Sequence, residues 1–383
     1  AMFFQLAQQI MSNETVIPLL LTQLGASTVV IGLATALVSL GLLVPQLLMA
    51  GLTEGLRFKK PISLVSGAVE RASFFLIGLA LLLWGARAPQ LVLVLYLILR
   101  TVGSISLGMI LPAWSAMIGK VIPTRRRGQF FGIGRSLGAV LGVGGALLAG
   151  HLLETQGFPA GFSYCLMLGS AAMFMSWGGL AMTREPPDLE IKPHTTLATY
   201  LRQLPALVRR DRNYARFLIA RTIAVLGTMA MSFVIVYGAQ RFTLTGTQVG
   251  GLTATIAVVQ VVMFLVWGLV ADRYGHKAVL SACAGAMALA VTLAGWAPGL
   301  WGLYLALGLV GAAHGGEVIS GSNIALEFAR PSDRPTYIGL TATLLAPART
   351  FAPIIGGALA AAFGFRWLFA VAGVCSLAGV ALL

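Results

Sequence analysis

The chain has 383 residues, of which 58% are hydrophobic and 10% are charged, against roughly 25% charged residues in soluble domains. This composition excludes a soluble globular protein. It predicts an all-α integral membrane protein, because the apolar runs reach the length of about 20 residues that a membrane helix needs. The formal net charge of +14 comes from basic residues in short loops, so we expect the lipid bilayer, and no nucleic acid, as a partner.

The apolar runs predict twelve transmembrane helices, here called spans 1 to 12. In chain order they cover residues 2–23, 28–52, 62–85, 90–118, 129–152, 160–182, 214–238, 247–271, 278–297, 300–327, 335–362 and 364–383. Basic residues concentrate in the loops that follow even-numbered spans. The positive-inside rule therefore predicts a multi-pass protein of the cytoplasmic (inner) membrane with both termini in the cytoplasm. Because the numbering opens at Ala1, almost directly in the first run, we expect a natural N-terminal extension to be missing.

One long polar segment, residues 183–213, divides the spans six and six. We therefore expect an N-terminal bundle at 1–182, a cytoplasmic basic linker at 183–213 and a C-terminal bundle at 214–383. Within the linker, Leu197, Leu201 and Leu204 are interleaved with arginines. This pattern fits an amphipathic stretch on the inner leaflet or a solvated tether.

The two halves resemble each other at a nearly constant spacing. Gly132, Gly150 and Gly157 recur as Gly339, Gly357 and Gly364 at an offset of 207, and Tyr96, Gly103 and Pro123 recur as Tyr304, Gly311 and Pro331 at an offset of 208. Such a repeat predicts two pseudo-symmetric halves related by an axis along the membrane normal.

The loop between spans 8 and 9 reads Gly268-Leu-Val-Ala-Asp272-Arg273-Tyr-Gly275-His276-Lys277. It resembles the loop signature of the major facilitator superfamily, Gly-x-x-x-Asp-Arg-x-Gly-x-Lys. The first-half counterpart is kept less well: at an offset of 218, Glu54 takes the place of Asp272 and Lys59 that of Lys277. The resemblance implies two pseudo-symmetric six-helix bundles, a transporter and not an enzyme, no catalytic residues and no cofactor.

We interpret the two hairpins as gating loops. The residues assigned to this role are Glu54, Lys59, Gly268, Asp272, Arg273, Gly275 and Lys277. Asp272 is expected to cap or pair with a neighbouring helix end in one conformation and to release it in the other. Span 11 contains Ala352-Pro353-Ile-Ile-Gly356-Gly357, which resembles an antiporter pattern of the superfamily. Close helix packing explains these small residues equally well.

Ionisable residues inside spans are expensive, so each is a candidate functional residue. Eight qualify: Glu14, Glu70, Arg71, Arg100, Arg135, Arg221, Glu317 and Arg349. Five are arginines and three are glutamates, so the interior is predicted to be net positive and suited to an anion. Glu70 and Arg71 lie on span 3, a supporting helix in the superfamily, and are expected to be structural.

The resemblance implies that spans 1, 4, 7 and 10 line a central cavity. Their ionisable residues are Glu14, Arg100, Arg221 and Glu317, and Asn13 and Thr228 complete the expected cavity set. Glu14 and Arg221 stand at the repeat offset of 207, so they are the first candidates for a pair across the site. An ion pair that merely closes one face is the structural alternative.

Three further observations refine this site. Pro18 clashes with the carbonyl of residue 14, so span 1 is predicted to be kinked or unwound there. His314 and Glu317 share a helix face, and together with Glu14 they are the candidates for proton coupling; a buried hydrogen-bonded pair is the alternative, and no metal site is expected. Arg135 and Arg349, on the faces of spans 5 and 11 that carry small residues, could form a ladder that binds carboxylate or phosphate.

These features predict a monomeric secondary transporter for a small organic solute, preferably an anion or an amphiphile with an anionic head, coupled to protons. A proton-driven multidrug efflux antiporter is the second hypothesis. A polytopic membrane sensor or scaffold without transport activity is the alternative from another class.

Overall fold

The computed structural model describes residues 2–187, 212–296, 299–328 and 334–383, and within these ranges every regular element is a helix. The elements are α1 (Met2–Ile10), α2 (Val16–Gln23), α3 (Thr28–Glu54), α4 (Lys60–Trp84), α5 (Pro89–Val121), α6 (Thr124–Gln156), α7 (Ala160–Ala181), α8 (Arg212–Leu226), a 3₁₀ turn (Gly227–Ala230), α9 (Met231–Phe242), α10 (Gly246–Trp296), α11 (Leu300–Ser320), α12 (Ala325–Phe328), α13 (Arg334–Phe363) and α14 (Phe365–Leu382). The predicted all-α fold is confirmed.

Ten helical stretches among the described residues are long and apolar enough to cross a membrane. The 51-residue α10 accounts for spans 8 and 9, which meet at Gly275, where the backbone φ of 81° is not helical. Span 1 consists of α1 and α2, each too short to cross by itself. The twelve predicted spans can therefore all be found in the structure.

The interruption of span 1 is the one that Pro18 predicts. Residues 11–15 are not helical, and α2 begins at Val16. Pro18 thus lies in the first turn of a helix, where its missing N–H costs nothing because these donors have no intrahelical acceptor. Unwinding upstream of Pro18 removes the clash with the carbonyl of residue 14.

Two other spans differ from the prediction. Span 7 was expected to be a regular helix, but a 3₁₀ turn at Gly227–Ala230 separates α8 from α9. Span 10 was expected to run to residue 327, but α11 ends at Ser320 and a turn with exposed Ser322 and Asn323 follows. These polar residues hydrogen-bond locally and so favour a turn over continued helix.

By its contacts the chain forms two compact units. Unit 1 comprises Ala1–Ser12 and Leu37–Gln203, and unit 2 comprises Asn13–Ala36 and Leu204–Leu383. The division passes through the interruption of span 1, so the segment 13–36 is grouped with the second half of the chain. The bundle bounds 1–182 and 214–383 stay a prediction. The amphipathic interpretation of the linker concerns residues that lie outside the described ranges.

Unit 1 is built around α4, which packs against α5 and α7, while α1 packs against α6. The glutamines of α1 lie in that second contact. Gln5 lies against Gly138 and Gln9 against Gly142, where a Cβ on either glycine would clash with them. The small residues of span 5 therefore serve helix packing in this unit.

In unit 2 the segment 13–36 packs closely on helices of the second half. The hydroxyl oxygens of Thr15 and Thr253 lie 2.6 Å apart, and the Thr28 hydroxyl donates to the carbonyl of Gly357 at 3.0 Å. A Cβ at Gly357 would in turn lie against the carbonyl of Thr28, and one at Gly356 against the carbonyl of Met229. The glycines of the antiporter-like pattern thus have a packing role.

The internal repeat is visible in the backbone. Gly157, after α6, and Gly364, between α13 and α14, stand at the offset of 207 and have φ values of 61° and 86°. Both need the positive φ that a glycine adopts without a steric penalty. The sequence repeat therefore corresponds to the same chain reversal in each half.

Replacing Gly357 by Ala tests the close packing in unit 2. The added Cβ would push against the Thr28 carbonyl, and overpacking of this kind costs about 1–3 kcal/mol. We expect the apparent melting temperature in detergent to fall by several degrees. Gly285→Ala is the matched control, because a Cβ at this α10 glycine meets no neighbouring atom; an equal loss in both variants would contradict the packing role.

Candidate functional site

The most concentrated charge cluster of unit 2 is a carboxylate held by two arginines, here called the Glu317 cluster. Arg221 of α8 donates from Nη2 to both Glu317 oxygens, at 2.7 and 2.6 Å, and Arg349 of α13 donates from Nη2 to Glu317 Oε1 at 2.8 Å. Charge-assisted hydrogen bonds of this length are among the strong ones in proteins. The cluster joins α8, α11 and α13 and carries one net positive charge.

The two arginines differ in exposure. The side chain of Arg221 is 5% exposed, whereas those of Arg349 and Glu317 are 39% and 34% exposed. In addition, Nε of Arg221 is buried without a hydrogen-bond partner among the described residues. Arg221 is therefore the buried part of the cluster, and Arg349 and Glu317 are its more exposed parts.

The partner of Arg221 was predicted to be Glu14, but the carboxylate that Arg221 binds in the structure is Glu317. The repeat offset places Glu14 and Arg221 at equivalent positions of the two halves, which does not require the two side chains to meet. Glu14 and Asn13 instead lie in the interruption of span 1, where Glu14 is half-buried and Asn13 exposed. Side chains in an interrupted membrane helix are candidates for ligand or ion contact.

The remaining predicted cavity residues have varied surroundings. The Thr228 hydroxyl, in the 3₁₀ turn, donates to the carbonyl of Val225 in α8 at 2.7 Å. His314 is half-buried and lies one helical turn before Glu317, close enough for its charge to act on that carboxylate. Arg135 is exposed on α6. A ladder of Arg135 with Arg349 stays a prediction.

Unit 1 contains its own buried charges. Arg71 of α4 donates to the carbonyls of Met173 and Gly67 and to a Glu70 oxygen, at 2.9, 2.7 and 3.2 Å. Arg100 of α5 lies 4.7 Å from the ring centre of Phe74. The structural role predicted for Arg71 agrees with its bond from α4 to α7.

The hairpin between spans 8 and 9 turns at Gly275, and the following helical segment is capped by a carboxylate. Glu327 Oε1 accepts from the backbone N–H of His276 at 3.1 Å, and the His276 ring nitrogen Nδ1 lies 3.1 Å from the Ser320 hydroxyl. Anionic groups are favoured at a helix N-terminus because its N–H groups have no intrahelical acceptor. Glu327 therefore fixes the hairpin to α12, and Ser320 links it to the end of α11.

Other predicted gating residues of this hairpin point to solvent. Asp272, Arg273 and Lys277 are exposed, and the Arg273 guanidinium lies 5.3 Å from the ring centre of Tyr274. Gly268 lies within α10 before the turn. The capping role expected of Asp272 is thus filled by Glu327 in this conformation.

A carboxylate also caps the helix after the first-half hairpin. Glu185 accepts from the backbone N–H groups of Lys59 and Lys60, at 2.8–3.0 Å, and from Lys120 Nζ at 2.9 Å. Its side chain is 2% exposed. Burial alone would raise the pKa of Glu185, but the bonds from Lys120 and from the two backbone amides outweigh it and lower that pKa. Glu54 ends α3 immediately before this hairpin.

Glu185 and Glu327 were not among the predicted site residues. Glu185 lies in the segment interpreted as a linker, and Glu327 lies where span 10 was expected to continue. Neither stands at a motif position, so only the three-dimensional contacts identify them. Among the described residues no group of three or more histidine, cysteine or acidic side chains could hold a metal ion.

The sequence profile of the Major Facilitator Superfamily matches residues 1–238 and 217–383. The chain belongs to the Major Facilitator Superfamily. No curated protein matches it. The family membership that the hairpin motif suggested is therefore confirmed, and the matched residues extend over the whole chain.

Solved transporters of the Major Facilitator Superfamily share the fold at low sequence identity. The nucleoside transporter NupG matches with a TM-score of 0.75 and 13% identity, covering 99% of this chain and 96% of its own. The D-xylose-proton symporter matches with a TM-score of 0.71 and 13% identity, covering 99% and 95%. The human organic anion transporter MFSD10 matches with a TM-score of 0.63 and 18% identity, covering 100% and 97%. At these identities the likeness establishes the fold of this superfamily member and not its substrate.

The Glu185 cap predicts a local effect in this superfamily member. Glu185→Gln removes the negative charge that accepts the backbone N–H bonds of this cap. Hydrogen bonds to a charged group contribute about 1.5–3 kcal/mol, so amide exchange in the first turn of α4 should become at least about tenfold faster. Hydrogen-exchange mass spectrometry measures this. Lys120→Met, which removes the ion pair but keeps the backbone cap, should have a smaller effect.

The protection is also expected to depend on pH. Because the folded-state pKa of Glu185 is lowered, its stabilisation is complete above the pKa of an unfolded glutamate and is lost as the pH falls through the folded value. The wild type should therefore lose first-turn protection on acidification, whereas Glu185→Gln should show a flat profile. Parallel pH profiles for the two proteins would contradict the cap.

Proposed function

We propose that this protein is a secondary active transporter of a small organic anion, or of an amphiphile with an anionic head, coupled to protons. It works by rocker-switch alternating access of its two six-helix halves in the cytoplasmic membrane, with both termini in the cytoplasm. The observation that carries the proposal is the Glu317 cluster, in which one carboxylate faces two guanidinium groups and leaves a net positive charge at a partly exposed position.

The geometry of the cluster supports an anion as the ligand. Arg349 is the more exposed arginine and uses a single bond to Glu317, so its remaining N–H groups can bind a second anion. A guanidinium group matches carboxylate and phosphate in a bidentate manner. The ligand anion neutralises the excess charge, and Glu317 keeps the buried Arg221 paired throughout.

The transporter fold is compatible with both parts of the proposal. Among solved structures with this fold, one is described as an organic anion transporter and another as a proton symporter for D-xylose. For this chain, Glu14, His314 and Glu317 are the candidates for proton coupling that the sequence suggests. His314 lies one helical turn before Glu317 on the same helix face, so the two side chains are close enough to exchange a proton.

A proton-driven multidrug efflux antiporter is the second candidate function. The pattern from Ala352 to Gly357 supports it, although Gly356 and Gly357 have packing roles in unit 2. An excess of positive charge disfavours the cationic compounds that such an antiporter would bind. The substrate charge therefore separates the two hypotheses.

Arg349→Gln and Arg221→Gln test the anion site. Purified protein in proteoliposomes should show counterflow of labelled benzoate, succinate or glucose 6-phosphate, and each variant should reduce that exchange by at least about tenfold, the loss expected for one charged contact of about 1.4 kcal/mol or more. Arg241→Gln is the control, because Arg241 is an exposed arginine at the end of α9, stacked on Phe242.

Three outcomes would contradict the proposal. Exchange that persists in both arginine variants would remove the cluster from the substrate site. Exchange of organic cations and of none of the three anions would favour the multidrug antiporter. The absence of exchange for any labelled solute would favour a sensor or scaffold.

The gating role proposed for the second hairpin predicts a change in the rate of solute exchange. Asp272→Asn and Glu327→Gln change charges at the turn, so they should slow exchange while the concentration for half-maximal exchange stays nearly constant. The effect of Glu327→Gln should be larger, since Glu327 holds the helix end at His276. A pure loss of affinity in either variant would argue against a gating role.

A further inference from the structure

Arg100 in unit 1 is a buried cation with unused hydrogen-bond donors. Its residue is 6% exposed, and neither Nε nor Nη1 has a hydrogen-bond partner among the described residues. The guanidinium lies over the ring of Phe74 and interacts with the hydroxyl of Tyr96. An unsatisfied buried donor costs about 1–3 kcal/mol, and more on a charged group, so these donors need an acceptor at some stage of the protein's work.

Glu70 is the carboxyl group beside this cation. It is 1% exposed, and the hydrogen bond that Arg71 gives it is 3.2 Å long. Arg71 is also engaged with two backbone carbonyls, those of Met173 and Gly67, at 2.9 and 2.7 Å. Arg71 therefore acts mainly as a clamp between α4 and α7, and it holds Glu70 only weakly.

The helix contact places Glu70 and Arg100 in one buried environment. Gly103 of α5, one turn after Arg100, approaches Ser73 so closely that a Cβ would lie 3.2 Å from its side chain and 3.8 Å from the Glu70 carbonyl oxygen. The charges of both Arg71 and Arg100 act on the Glu70 carboxyl. Of the helices packed against α4, α5 supplies Arg100 and Tyr96 to this environment, and α7 has no charged residue in its sequence.

Protonation would weaken fewer hydrogen bonds at Glu70 than at Glu317. Protonating Glu317 would weaken three hydrogen bonds of 2.6–2.8 Å from two arginines. Protonating Glu70 weakens one bond of 3.2 Å. Glu70 is also the more buried of the two, and burial penalises the ionised form.

We propose that Glu70, in place of the sequence-predicted candidates Glu14, His314 and Glu317, carries the coupling proton, and that the free donors of Arg100 bind a carboxylate or phosphate group within unit 1 when Glu70 is protonated. This inference rests on the proposed anion transport. The carboxylate takes one H⁺ from water and becomes a neutral carboxylic acid, which changes the charge of Glu70, Arg71 and Arg100 together from +1 to +2. A bound monoanion restores +1, so proton and anion binding favour each other.

Glu70→Gln tests the coupling because glutamine imitates the protonated acid. In proteoliposomes this variant should still exchange labelled benzoate, succinate or glucose 6-phosphate, at a rate that no longer varies with pH. It should fail to accumulate succinate or glucose 6-phosphate under a pH gradient, whereas accumulation by the wild type can reach about tenfold per pH unit for one proton. Glu154→Gln, at an exposed carboxyl on α6, is the control and should accumulate like the wild type.

Accumulation by Glu70→Gln equal to that of the wild type would overturn the inference. So would a folded Glu70→Gln that exchanges no anion at any pH, because Glu70 would then be needed for binding itself. If wild-type protein exchanges none of the three anions, the proposed function fails, and the protonation of Glu70 is decided separately by infrared spectroscopy.

The infrared measurement uses the wild type in nanodiscs. It tests the protonation of Glu70 even if Glu70→Gln does not fold. Lowering the pH should produce the carbonyl band of a buried carboxylic acid. This band should shift in Glu70→Asp, and its pH dependence should change in Arg100→Lys. A band that is identical in all three proteins, or no band at all, would contradict the assignment of the proton to Glu70.

Discussion

The second half of this transporter depends on one ionic contact, the carboxylate of Glu317 between Arg221 and Arg349. An isolated charge costs at least a few kcal/mol at the centre of a membrane, so the three side chains stabilise one another only while they remain together. Removing one member of such a buried group leaves the others unpaired. The contact therefore fixes three helices, and its excess positive charge is the reason why we propose an anion as the ligand.

The two hairpins follow a second electrostatic rule: the free backbone N–H groups at a helix N-terminus need a hydrogen-bond acceptor. Glu185 supplies it after the first hairpin and Glu327 after the second. The two carboxylates come from different places in their halves, one after α7 and one at the end of the short α12. Both halves therefore cap the helix after the hairpin with a carboxylate, although the two glutamates do not occupy equivalent sequence positions. Each cap consists of a few polar contacts to backbone N–H groups, which is compatible with the gating role that we propose for these hairpins.

Much of the fold follows from the sequence because membrane helices are specified by local properties. The length of each apolar run predicts the spans, and Pro18 predicts the interruption of span 1. Contacts between distant helices are different. The repeat offset suggested Glu14 as the partner of Arg221, while the structure pairs Arg221 with Glu317, because a pairing depends on which helix faces approach. The 3₁₀ turn at Gly227–Ala230 was missed for a similar reason: its glycine lies against α14, a tertiary contact that no local pattern encodes.

Ligand-induced thermal stabilisation tests most directly whether the net positive charge around Glu317 selects anions. A screen should compare each organic acid with its uncharged amide, for example benzoate with benzamide, on purified wild-type protein and on Arg349→Gln. Binding to the folded state raises the melting temperature with ligand concentration. We predict that the stabilising compounds are acids, that their amides have no effect, and that Arg349→Gln abolishes the stabilisation. Equal stabilisation by acids and amides, or by cations alone, would contradict the account.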